Sequence, residues 1–500
     1  MASGHLRYSV RAAKGAVHDG KKTTLNAKNL EALGAKRLAE LLIEISTGSA
    51  ADKRRLRLEL AGEQSSADMA REIRKRLTSI QRARSFIDWR KVKKLKADLE
   101  MQRSAIVDKL EPQDPDEALE LIWRFLDLSD SIFARSDDGS GSLVESFHDA
   151  CVDAGRIAKA STVSPEALAE KVFQALQDNG YGQYDPLIEE MIPALKTVGL
   201  ARLKELATQW LNEARTEKPR REGRIIGMSL NGPIYEDEVY SRHDDLSARI
   251  ALEAIADAEG DVDAYIALQT EQAKQSPMIA ARMAERLLEA NRAGEALTRL
   301  DQAAPEKGRS FPVLEWEQAR ADALEALGRE DDAQKFRWQC FESSLEQQHL
   351  RDYLKRLPDF DDLEAEEKAM AWIAEYPGVH QALLFLIEWP ALREANALIL
   401  DRYAEFDGNH YEYLTPASET LKEKYPLAAS LLLRAMIDFS LKNARSSRYK
   451  HAARHLIECE ALAMHIDDFG TAAPHHTYLA KLQRDHGRKS GFWTAVERLY

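Results

Sequence analysis

In NLEALGAKRLAELLIEI (29–45), Leu30, Leu33, Leu38, Leu41, Leu42 and Ile45 recur three and four residues apart. That spacing puts them along one side of an α-helix, and the same rhythm runs through most of the chain. No stretch sustains the period-two alternation of a half-buried strand, so the pattern restricts the chain to an all-α fold. Helix boundaries are written in the usual chemistry. Asn26 or Asn29 can cap the first helix, and Gly48 lies just past its end. SAADKRRLRLELAG supplies a second helix with Asp52 in its first turn. Residues 67–110 read as two helices, with stripes of Met69, Ile73, Leu77 and Ile80, and of Val92, Leu95, Leu99 and Ile106. Asp114–Pro115 and Ser164–Pro165 each pair a capping side chain with a proline at the first helical position. Residues 136–142 and 178–186 read as loops.

A chain of 500 residues exceeds one ordinary core. Four segments are expected: a basic arm over 1–24 of disordered character, a helical domain over 25–215, a long loop or linker over 216–247, and a helical-repeat array with a C-terminal cap over 248–500. The linker assignment rests on two prolines, three glycines and a β-leaning run. Residues 284–303 and 321–340 align with each other at an offset of 37. Ala284 matches Ala321, Leu287 matches Leu324, Arg292 matches Arg329, Glu295 matches Asp332 and Ala296 matches Ala333. The offset is near the ~34 residues of a tetratricopeptide helix pair. Such a pair cannot bury its apolar face alone and must stack on neighbours, which predicts a tetratricopeptide-like α-solenoid.

Charge is distributed unevenly. Residues 1–110 hold 25 Lys/Arg against 13 Asp/Glu, and the remainder holds 45 against 70. A basic head on an acidic body either folds back on that body or faces an anionic partner. The densest segment, 71–96, carries 11 basic and two acidic residues with Phe86 and Trp89 between them. Basic residues interleaved with aromatics mark nucleic-acid surfaces, and Arg74, Arg82, Lys91 and Lys94 are the candidate contacts. The two aromatics fall near the apolar stripes, so the sequence assigns them to the core.

Little points to catalysis. GMSLNGP (227–233) departs from a nucleophile elbow because Asn231 replaces its second glycine, which makes Ser229 a poor nucleophile. Walker, dinucleotide-binding and kinase signatures are absent, and no cofactor is expected. His451, His455 and Cys459 lie four residues apart on one helix face, which offers a metal-binding reading. The residue after His451 is Ala452, so the general-base glutamate of an HExxH site is missing. His465, Asp467, Asp468, His475, His476 and His486 follow as further possible ligands. The bland alternative is a polar helix face whose apolar side packs on the preceding helix. Three distant cysteines, Cys151, Cys340 and Cys459, exclude a disulfide framework. No apolar run reaches membrane-span length, and 1–22 lacks the apolar centre of a signal peptide. The expectation is a cytoplasmic protein without a membrane partner.

The stretches NLEALGAKRLAELLIE, RSFIDWRKV, LIWRFLDL, GDVDAYIAL, KYPLAASLLLRAMIDFSL, RYKHAARHL and HGRKSGFW resemble a family of uncharacterised bacterial proteins, a domain of unknown function spanning nearly the whole length. The resemblance implies an all-helical, repeat-like bacterial protein and brings no catalytic residues. The helical pairs also look like those attached to SWIM zinc fingers, but the CxC…CxH signature of that finger is absent and its metal role does not transfer. The combined expectation is a non-enzymatic cytoplasmic scaffold or adaptor that binds a protein or peptide in a concave groove. Trp316, Arg320, Arg351 and Tyr353 are its candidate contacts. The alternatives are a nucleic-acid-associated factor using 71–96 and a metal-dependent enzyme using His451 and His455.

Overall fold

A computed structural model describes residues 24–216, 225–229, 232–305 and 313–499. The protein is all-α, and the one sheet among these residues is a two-stranded antiparallel hairpin, Ile225–Ser229 with Gly232–Tyr235. The basic arm expected over 1–24 lies outside the described residues, apart from Thr24. The chain forms two compact units, Met1–Leu268 and Gln269–Tyr500.

In the first unit the expected caps form. The Asp114 carboxylate accepts the Glu117 N–H at 3.1 Å to open Pro115–Leu126, and Ser164 accepts the Ala167 N–H at 3.2 Å to open Pro165–Gln177. Helix Pro115–Leu126 is the centre of the core. Ala118, Leu119, Leu121, Ile122, Trp123, Phe125 and Leu126 are all buried, and Phe125 meets Phe147 of helix Ser142–Ala160 at a ring separation of 5.7 Å. Gly155 lets helix Ser142–Ala160 lie against the backbone of Leu187–Thr216, where a Cβ would collide with the Glu190 carbonyl.

Three features differ from the periodicity reading. Gly34, at φ +79°, splits 29–45 into Ala27–Glu31 and Ala35–Ser46. The apolar stripe there is largely uncovered, with Leu42 49% and Ile45 68% exposed. The segment 216–247, expected as a loop, instead carries the hairpin and the start of helix Glu236–Glu259, which packs on Leu187–Thr216. The chain divides after this helix, at Leu268/Gln269, because that packing keeps the segment inside the first unit.

The second unit is built from short helices that pack on their neighbours in sequence and on the next but one. Helices Pro277–Glu289 and Ala293–Gln302 correspond to Leu314–Ala326 and Glu330–Ser344 at the offset of 37. Ala284 and Ala321, Leu287 and Leu324, and Ala296 and Ala333 are buried in matching places. Arg292 pairs with Glu295 at 2.7 Å as Arg329 pairs with Asp332 at 2.8 Å. The turn between helices is also shared. Asn291 and Gly328 take left-handed φ of +59° and +70°, and the next N–H returns to Leu287 and Leu324 at 2.7 and 3.0 Å. This is the Schellman closure of a helix end. The same closure recurs after Ala444 and, in the first unit, after Gly260, with N–H to carbonyl bonds from Arg445 to Ser440 and from Asp261 to Ala256. The deepest core of this unit surrounds Pro426–Lys442, where Gly408 lies directly on the Ala435 carbonyl.

Candidate functional site

Helices Asp361–Ala374 and Leu392–Arg402 leave between them a groove of about 870 Å³. Its apolar lining includes Leu363, Met370, Leu386, Trp389 and Leu398, and Leu363 is 58% exposed. Glu366, Glu367, Glu375, Glu394 and Asp401 add five acids. The one lining cation, Arg393, pairs with Glu394 at 2.8 Å, so the groove is strongly acidic. Trp389 is held in place from three sides. Its Nε1 donates to Glu366 at 2.7 Å, Phe385 stacks on its ring at 5.4 Å, and the Arg351 guanidinium lies 4.6 Å from its centroid. The acid-rich run opening at Asp361 has its plain role too, placing Asp361, Asp362 and Glu364 in a first helical turn. The sequence showed only that role, because the facing wall arrives from thirty residues downstream.

Of the four expected partner contacts, Arg351 touches this groove through Trp389. Trp316 is instead core. It is buried, its Nε1 donates to the Leu300 carbonyl at 3.0 Å, and its ring meets Phe336 edge-on. Arg320 covers Phe336 at 4.7 Å and pairs with Asp301 at 3.2 Å. Tyr353 lies half-buried against Trp338 at 5.2 Å. A buried indole whose N–H is satisfied on a neighbouring helix anchors the fold.

The basic segment is corrected in two directions. Arg74 is engaged internally, with Glu117 and with Glu120 at 3.0 Å, and Lys91 pairs with Asp88 at 3.3 Å. Part of the head thus folds back on acids of its own unit, as do Lys96 on Glu145 and Arg103 on Asp153, both at 2.6 Å. Arg82 and Lys94 are exposed and carry no ion pair among the described residues. Phe86 and Trp89, assigned above to the core, are 62% and 68% exposed. Trp89 opens helix Trp89–Ala105, and Phe86 is turned out by Ile87, which takes the inward position. Its N–H donates to the Arg135 carbonyl at 2.8 Å, and its carbonyl accepts from Asp137 at 3.0 Å. An extended segment that buries one side chain turns its neighbour outward. Arg135 fixes the same loop by donating to the Ser85 and Ile80 carbonyls at 3.1 and 3.2 Å. Arg90 lies 5.1 Å from the Trp89 ring centroid. The result is a pinned corner presenting two aromatic rings among cations.

The metal reading at His451, His455 and Cys459 is not supported by the geometry. Cys459 is buried, donates its S–H to the Ser430 carbonyl at 3.6 Å, and has its thiol pushed up to about 11 by burial. His451 is exposed. His455 is pushed down to about 4 by burial, with His451 and Arg454 adding to the effect. Among the described residues the three do not converge; the group that does is Glu317, Cys340 and His349. Sequence spacing missed it because its members come from three helices. Ser229 ends a hairpin strand, and its side chain lies outside the described residues.

The fold is all-α, and the second unit carries a strongly acidic groove. The chain belongs to a family described as a family of unknown function (DUF6880), whose model matches residues 20–495. No curated protein matches it. Among the described residues no helix is long and apolar enough to cross a membrane.

Proposed function

We propose that the protein is a non-enzymatic scaffold whose helical pairs stack in tetratricopeptide fashion, and that the groove between Asp361–Ala374 and Leu392–Arg402 binds a basic, amphipathic segment of a protein partner. One observation carries this reading: an open apolar trough with five acids and a single, already paired arginine. Apolar side chains of the partner would fill the trough while lysines or arginines meet the rim, the usual division of labour when a helix lies in a groove. Charge complementarity of this kind sets partner choice and association rate. Three free, buried cysteines accord with a reducing cytoplasm. The test uses a labelled peptide with leucines at helical spacing and lysines between them. Wild type binds it in a salt-sensitive manner, and the double reversal Glu367→Lys/Asp401→Lys weakens binding by about tenfold or more. Equal binding by both proteins refutes the proposal.

The exposure of Phe86 and Trp89 favours a second surface, in the other unit, for single-stranded nucleic acid. Bases stack on exposed rings while nearby cations track the phosphates. Arg82, Arg90 and Lys94 would serve the second task; of the expected set, Arg74 and Lys91 are engaged in ion pairs within the unit.

A further inference from the structure

Three chemically distinct ligand groups converge inside the second unit. Glu317 comes from helix Leu314–Ala326, Cys340 from Glu330–Ser344 and His349 from Gln347–Leu354. One ligand atom from each lies within 4.8 Å of the other two. His349 and Cys340 are 2% and 7% exposed, and the Glu317 side chain is 16% exposed. The His349 Nε2 and the Glu317 Oε2 are 2.7 Å apart, a hydrogen bond that already orients two of the three groups.

That hydrogen bond accounts for the histidine and the carboxylate but not for the sulfur beside them. Cys340 is a free cysteine. Burial, and then the Glu317 carboxylate, push its thiol up to about 12, so without further charge the sulfur keeps its proton. Arg320 acts in the opposite sense, but its guanidinium is held over Phe336 and against Asp301. A dication would change this balance. One thiolate, one carboxylate and one neutral imidazole carry two negative charges, which a doubly charged ion cancels, leaving a buried site with no net charge. Mixed sulfur, nitrogen and oxygen donors suit zinc, whereas magnesium and calcium take oxygen shells. The distances are compatible. Bonds of about 2.0–2.3 Å in a tetrahedron set ligand atoms roughly 3.3–3.7 Å apart. The nitrogen and oxygen must open by about half an ångström, and the sulfur must close by at most about 1.5 Å.

We infer that Glu317, Cys340 and His349 form a zinc site that ties together three consecutive helices of the second unit. The fourth position faces the partly open side of Glu317 and takes water. The ion is structural. It fixes the angle between Glu330–Ser344 and the helices on either side, a place where the interior otherwise relies on small residues such as Ala321, Ala323 and Ala333.

The test uses the full chain with its purification tag removed, stripped with chelator and then given zinc or cobalt. Wild type retains one zinc per chain through gel filtration and melts at a higher temperature with zinc than without it. Its cobalt form shows a thiolate-to-cobalt charge-transfer band. Cys340→Ser abolishes that band, and Glu317→Gln and His349→Gln each weaken metal binding by about tenfold or more. Cys151→Ser and Cys459→Ser retain the band. Circular dichroism identifies any variant that fails to fold, and Glu317→Gln, close in shape to the native residue, then carries the test. The inference is overturned if wild type retains no zinc, since the three groups are then only a hydrogen-bonded pair beside a thiol. It is equally overturned if Cys459→Ser or His455→Gln removes the metal and Cys340→Ser does not.

Discussion

His455 gives the protein a sensitivity to acid that can be worked out in advance. It lies on helix Tyr449–Ala463, in the wall of a cavity of about 300 Å³ shared with Tyr411, Met436 and His451. Burial, then the neighbouring His451 and Arg454, hold it down at about 4, while Glu419 opposes them weakly. An unfolded histidine titrates near ~6.5. Between these values the unfolded chain binds a proton that the folded chain refuses. Stability from this group is therefore complete above about pH 6.5, declines as acid is added, and is lost by about pH 4. At pH 5 the loss amounts to about 2 kcal/mol, on the way to a ceiling of about 3 kcal/mol. Replacing His455 with glutamine removes the titrating ring. Urea denaturation followed by circular dichroism at pH 7.5 and pH 5 measures the difference. Wild type loses about 2 kcal/mol more than His455→Gln over that interval. His380 and His475, which burial also depresses, contribute equally to both proteins and cancel. An equal acid loss in the two proteins refutes the reasoning.

Gly408→Ala destabilises the second unit by about 1–3 kcal/mol, because the added methyl meets the Ala435 carbonyl and backbone cannot yield cheaply; thermal melting checks it. Phe86→Ser/Trp89→Ser leaves folding stability within about 0.5 kcal/mol, as both rings are exposed. The same double variant weakens binding of a labelled oligouridine by about tenfold or more, read by fluorescence anisotropy, since each stacked base contributes about 1–3 kcal/mol. Unchanged affinity removes the nucleic-acid reading.

The helices were legible wherever the deciding contact was local. Asp114 and Ser164 cap as their sequence neighbours imply, because donor and acceptor are three residues apart. Periodicity identifies a face but not its cover, so Leu42 and Ile45 form the expected stripe and still face outward. Phe86 and Trp89 were misplaced: they flank Ile87, and it is Ile87 that turns inward, paired with Arg135 about fifty residues away in the chain. Trp316 was misplaced for a similar reason: its indole partner is a carbonyl of the preceding helix. At 451–459 the spacing correctly put three side chains on one side of a helix. It could not show that Cys459 would be swallowed by the helix Pro426–Lys442 while His451 stayed outside. The groove and the Glu317 cluster required elements from separate helices, which no local pattern encodes.

The recurring Schellman closure bears on how such a protein changes over evolutionary time. Its stop is made by main-chain atoms, and the left-handed residue is Gly260, Asn291, Gly328 or Ala444 in the four cases described. Alanine tolerates that conformation at a penalty of only about 1–2 kcal/mol. The punctuation can thus survive after the letters that first wrote it have been replaced. A helix stop of this kind is more durable as geometry than as spelling.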